Sequence, residues 1–152
     1  MNTLTRTQRV GLKLAQIGSA FVALGGLGDQ TVQKLMPSHE AFLGVAPGAA
    51  PPAVEQLFLA LLHALGFSLV AVGLGAFVLI RVMAKTDQRS LGAIVVAMVI
   101  LGDGVNAYEI HRTGSPVFLA PLFFVTLTVA GVVLYVLGPR RQSATTDLRG
   151  NR

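Results

Sequence analysis

The stretch VEQLFLALLHALGFSLVAVGLGAFVLI, residues 54–80, decides the fold. It is long and apolar enough to cross a bilayer core of about 30 Å as a helix, with length to spare for tilting or projecting from it. A basic turn, RVMAKTDQR, follows at residues 81–89. Working outward, residues 10–28, 91–110 and 116–138 meet the same test. The last of these opens with Ser115 as N-cap and Pro116 at the first helical position, and stops at Gly138-Pro139. Short connections between the second, third and fourth spans make those neighbours antiparallel. The fold class expected is therefore all-α integral membrane: one membrane domain over residues 1–152, an antiparallel four-transmembrane-helix bundle.

Composition agrees. The chain has 152 residues, no cysteine, 53% hydrophobic residues and 12% charged ones, with a mean hydropathy of +0.66. Soluble domains carry roughly 25% charged residues. Disordered chains, disulfide-stapled domains and cysteine-ligated zinc or iron–sulfur proteins are excluded, and an ordinary soluble enzyme is disfavoured.

Charge sets the orientation. Arg6, Arg9, Lys13, Arg81, Lys85, Arg89, Arg140, Arg141, Arg149 and Arg152 fall at one end of the spans, against Lys34 and Arg112 at the other. The positive-inside rule then puts both termini in the cytoplasm of a cell whose inner (plasma) membrane the chain spans. The net charge of +5 needs no nucleic acid to explain it, because no contiguous basic face with stacking aromatics exists. The first span has the basic start and small residues of a signal peptide, but Gln16 and its many glycines read as a retained helix.

The outer loop, residues 29–53, is the long connection. Its first half, DQTVQKLMPSHEAFLG, suits short amphipathic turns on the outer surface that could lid the bundle. Its second half, VAPGAAPP, is a linker. Lys34 and Glu40 read as solvated, and the tail 139–152 as a short polar cytoplasmic segment.

Inside lipid, close approach through small residues drives helix association. Candidates are Gly11, Ala15, Ser19 and Ala23 with Gly18, Gly25 and Gly26, then Ala60, Ala64, Ala71 and Gly75, then Ala93 and Ala97.

Ionisable groups inside a membrane are costly and face the bundle interior or a wet cavity. His63 lies eight residues past Glu55 and Asp103 eight before His111, so each sits ~12 Å in from the outer end. That predicts a His63–Asp103 contact. Asn106 shares the Asp103 face and Gln56 that of His63, with Glu109 near the mouth. Gly102 and Gly104 flank the aspartate, allowing close approach of a backbone or ligand. The inner halves carry no polar track, which argues against a channel or proton relay. His39, His63 and His111 match no metal-ligand spacing, Ser68 and Ser115 sit in no nucleophile elbow, and no cofactor is implied.

The glycine-rich first helix, the loop QKLMPSHEAFLGVAP and the Gly/Ala-rich second helix ending in IRVMAKTDQR resemble small bacterial four-helix membrane proteins of the DoxX-like type. That resemblance implies association with quinone- or redox-linked membrane complexes. The four-span layout is also similar to the EXPERA architecture of sterol isomerases, which implies acidic residues and a histidine in a membrane cavity. Three functions follow as expectations. The first is an outward-facing recess, lined by His63, Asp103, Asn106, Gln56 and Glu109, that binds a lipid, quinone or sterol-like molecule. The second is an accessory or assembly subunit of a larger membrane complex, with a structural polar cluster. The third is an isomerase-type enzyme using His63 and Asp103 as an acid–base pair. The partners implied are membrane lipids, a lipophilic small molecule, and either further copies of the chain or a larger membrane protein.

Overall fold

A computed structural model describes residues 4–139, so the tail beyond Pro139 lies outside the described residues. The chain is an all-α membrane protein, with four helical spans long and apolar enough to cross a bilayer. Helix α1 runs over Arg6–Asp29, α2 over Pro37–Phe42 and α3 over Pro52–Thr86. The third span divides into α4 (Leu91–Val99), a π-helical turn (Ile100–Gly104) and α5 (Val105–Arg112). A 3-10 turn at Pro116–Phe118 then leads into α6 (Leu119–Val136).

Local chemistry explains the boundaries. Helix α1 starts on a reciprocal capping box: the Gln8 N–H donates to Thr5 Oγ1 at 3.2 Å, and the Thr5 N–H donates to Gln8 Oε1 at 3.2 Å. Helix α3 absorbs most of the basic turn expected as a connection, because residues 81–86 contain neither glycine nor proline. It stops at Asp87, whose φ of 53° no helix can continue. At 35 residues it is about 50 Å long and outruns the bilayer core. The Ser115 Oγ accepts from the Val117 N–H at 3.4 Å, the N-cap that the sequence announces.

The four spans form a ring, α1 against α3, α3 against α4, α4 against α6, and α6 back against α1. Glycine sets the spacing. A Cβ on Gly11 would lie 2.6 Å from the Gly131 carbonyl oxygen of α6, and one on Gly66 would lie 2.6 Å from the Gly26 carbonyl oxygen of α1. Gly18 meets Phe124 and Thr128 of α6 in the same way, and Gly73 meets Ser19 and Ala23 of α1. Helix α1 thus carries two glycine faces, one for each neighbour.

The small-residue reading of the other spans needs correction. Ala60, Ala64 and Ala71 point outward from α3, Ala93 and Ala97 outward from α4, and nothing lies near Gly25. Of the expected residues Gly75 does meet a neighbour, a Cβ there lying 3.0 Å from Met98 Cε of α4, and the others that pack are Gly66, Gly73 and Ala76 in α3, Gly92 in α4 and Gly131 in α6. Four-residue spacing alone does not say which of several small-residue stripes faces a neighbour.

The apolar core lies toward the end that holds the start of α1 and the end of α6. Leu12, Ala15, Ile80, Met83, Val95, Val132 and Tyr135 interlock there. A polar clasp closes that end. Arg89 donates to the carbonyl oxygens of Val136 (2.7 Å) and Pro139 (2.6 Å), capping the last carbonyl of α6 and holding the turn that follows it. The Tyr135 hydroxyl is bonded to the Met83 carbonyl at 3.3 Å and to Asp87 Oδ1 at 3.0 Å. The opposite, loop-bearing end has no such plug among the described residues, and the bundle opens there.

Candidate functional site

At the loop end, α2, the first turns of α3, helix α5 and the Ser115–Val117 turn enclose a recess of about 450 Å³. Its walls are mostly apolar: Met36 and Phe42 from the loop, Phe58, Leu62 and Leu65 from α3, and Ile110 from α5. A smaller pocket of about 160 Å³ adjoins it toward the membrane interior, and the two share Asp29, Asn106, Ile110 and Val117. Asp103 lines the inner pocket, as does Leu69. The whole is an apolar cup with a few polar groups at its floor.

Those polar groups are delivered by three local features. Asp29 is the last residue of α1, three positions past Gly26 and therefore on the face that meets α3; its Cβ would be 2.8 Å from a Cβ on Gly66. Asp103 sits in the π turn, where an extra residue per turn widens the helix and re-aims the side chains beyond it. Glycines on either side make that loosening cheap. Asp103 is only 3% exposed, and its Oδ1 accepts from Asn106 Nδ2 at 3.3 Å across one turn. Glu109 and Arg112 pair at 3.1 Å at the mouth, both largely exposed.

His63 does not meet Asp103. Its Nε2 lies 2.9 Å from the Val32 carbonyl oxygen, and because a carbonyl can only accept, Nε2 carries the proton. The His63 carbonyl in turn accepts from Gln30 Nε2 at 2.7 Å. The residue therefore ties the start of the outer loop to α3. Among the described residues no hydrogen bond or ion pair joins it to Asp103, and the acid–base pair expected from equal depth is not assembled. Equal depth on two helices fixes the level of two side chains but not their azimuth. Asp29 lies within electrostatic reach of both His63 and Asp103.

The other expected residues divide. Asn106 lines both pockets and Glu109 lines the outer one. Gln56 is exposed and lines neither. The residue that sequence reasoning misses is Asp29, which falls in the loop when the first span is ended at Gly28. Its three-residue spacing from Gly26 is the available signal.

The loop over residues 30–51 is pinned over the recess. Glu55 Oε1 accepts from the Leu35 N–H at 3.3 Å, and the His39 ring packs on Phe58 with centroids 4.5 Å apart. Glu40, expected to be solvated, is instead 7% exposed and accepts from the Gly48 N–H at 2.7 Å, closing the turn after α2. Burial pushes His39 below the ordinary imidazole value. The His111 ring lies against Phe118 at 4.6 Å, so the three histidines are engaged on three different elements.

Chemically, the arrangement can bury an apolar body against Phe42, Phe58 and Leu62 and offer carboxylate and amide groups to its polar end. Comparison with family models, with curated proteins and with solved structures finds no match to this chain.

Proposed function

We propose that the protein binds a lipophilic small molecule, of lipid, quinone or sterol-like size, in the recess at its loop end. The observation that carries the reading is the recess itself: about 450 Å³, walled by aliphatic and aromatic side chains, with a few polar groups converging at its floor. The basic residues gathered at the opposite end support an orientation with both termini cytoplasmic and the recess facing outward across the inner membrane. Asp29, Asp103 and Asn106 are the ligand-facing polar residues in this reading, with Glu109 at the mouth and His63 holding the wall. The test is mass spectrometry of lipophiles extracted from protein purified in mild detergent. A defined molecule retained at about one per chain is the expected result, and a profile matching the bulk membrane would overturn it.

A second reading, an accessory subunit of a larger membrane complex, draws support from Ala60, Ala64 and Ala71. These small residues face outward on α3, where a further helix could approach closely. It predicts a stoichiometric protein partner in native-membrane pull-downs that survives removal of the recess.

A further inference from the structure

The floor of the recess is one-sided in its hydrogen bonding. Asp103 is 3% exposed, and Asn106 supplies a donor to Oδ1 alone; among the described residues no donor reaches Oδ2. A buried carboxylate oxygen without a partner is rare in folded proteins and calls for an explanation. Asp29 lies at the wall shared by the two pockets, and among the described residues no hydrogen-bond donor reaches its side chain either. The Asn106 amide spends one of its two N–H donors on Asp103, which leaves one N–H and the carbonyl oxygen.

Charge points the same way. Arg112 is the cation among the lining residues of the outer recess, and Glu109 holds it at 3.1 Å at the exposed mouth. His63, beside Asp29, makes its bond to Val32 with Nε2–H and needs no charge to do so. Two carboxyl groups thus face the inner part of the cup with acceptors in excess and, among the described residues, no fixed cation. Above this floor Phe42 and Phe58 wall one side and Leu62 and Leu65 lie below. Ser38, His39, Thr113 and Ser115 stand among the lining residues together with the Glu109–Arg112 pair.

Resting on the recess-binding reading above, we infer that the ligand is a lipophilic amine, whose ammonium enters between Asp29 and Asp103 while its apolar body lies against Phe42, Phe58 and Leu62. An ammonium brings three donors and a positive charge to a floor where the carboxyl and amide oxygens outnumber the one free N–H of Asn106. A carboxylate or phosphate head would bring its own negative charge and further acceptors to a pair of carboxyl groups where the dielectric is low. A neutral carbonyl head finds one N–H, on Asn106, and leaves the carboxyl oxygens unmatched. A hydroxyl head meets the donor requirement in part and ranks between.

The test compares phenylbutylamine, phenylbutanol and phenylbutyrate, which share one apolar body and differ in the head. Binding is measured at pH 7 to the full chain in nanodiscs of zwitterionic lipid, with empty nanodiscs subtracted for partitioning. The amine should bind about tenfold or more tighter than the carboxylate, with the alcohol between. Asp29→Asn should shrink the amine's advantage several-fold, whereas Phe58→Ala should weaken all heads alike. The ranking on the unmodified chain decides the inference even where a variant misfolds. Equal binding of the three, or a carboxylate that binds best, overturns the amine assignment and leaves the lipophile reading standing. Binding of none of them overturns both.

Discussion

The imidazole of His63 donates to the carbonyl oxygen of Val32 at 2.9 Å, across 31 residues of chain. A histidine that a sequence marks as a site residue is here a tether between the outer loop and α3. Removing it by His63→Ala should lower stability by about 1–2 kcal/mol, the cost of a lost hydrogen bond with a carbonyl left unsatisfied. Thermal unfolding in detergent reads this directly. In a double-mutant cycle with Asp103→Asn the effects should add to within about 0.5 kcal/mol. A larger coupling would restore the paired reading.

The glycines that set the helix spacing make a second prediction. Gly131→Ala forces a methyl onto the backbone of Gly11 and Ala15, with no flexible side chain to yield, and should cost about 1–3 kcal/mol or more. Gly25→Ala meets nothing within 4 Å. It should be neutral or gain a few tenths of a kcal/mol up to about 1 from helix propensity. Unfolding by denaturing detergent, run on both variants side by side, checks the contrast.

How far the sequence foretells this molecule depends on which residue is asked about. Spans over residues 54–80 and 116–138 are legible because apolar length and the Ser115-Pro116 start are local properties. Asp103 is legible as a buried acid, because few charges enter a membrane without a reason. Its π turn is not, since ILGDG differs from ordinary helix only in tolerating looser bonding. Azimuth is the other hidden quantity. Ala60 and Gly66 look equally suited to packing, yet only Gly66 faces α1. Asp29 is obscured by a boundary shift of one residue, and Glu40 by a backbone turn that supplies the Gly48 N–H as partner.

The clasp at the terminal end predicts an asymmetric pair of substitutions. Arg89 reaches the carbonyls of Val136 and Pro139 with separate guanidinium nitrogens while its Nε contacts Asp87 Oδ1 at 3.3 Å. Arg89→Lys keeps the charge but loses the planar fork, and should recover little of the stability that Arg89→Ala forfeits. Tyr135→Phe should cost about 1–2 kcal/mol by removing the hydroxyl's bonds to Asp87 and to the Met83 carbonyl. Neither change should move binding in the proposed recess, which lies at the other end of the bundle. A loss of binding in folded Arg89→Lys protein would contradict that separation.

Acid should loosen the loop over the recess. Burial depresses His39 below the ordinary value near 6.5, because the charged ring loses water of solvation in the closed loop. The released loop protonates first, so the contribution of His39 to a closed loop is fully present above pH ~6.5 and is lost as the pH falls through the depressed value. Amide exchange over residues 36–43 should therefore quicken between pH 7 and pH 5 (after correction for intrinsic rates). His39→Phe keeps the ring contact and removes the titration, so its exchange should stay flat. An equal pH response in that variant would assign the effect to other groups.

Whether the recess is the binding place is tested most directly by photolabelling with an alkyl-diazirine lipophilic amine in zwitterionic nanodiscs, followed by peptide mapping. The account predicts labels concentrated on Met36, Phe42, Phe58 and Leu62, the residues that wall the recess, and their loss in Leu62→Trp, where the indole fills the cup. Labels spread evenly over the outward-facing side chains of α3 and α6, unchanged by Leu62→Trp, would contradict it.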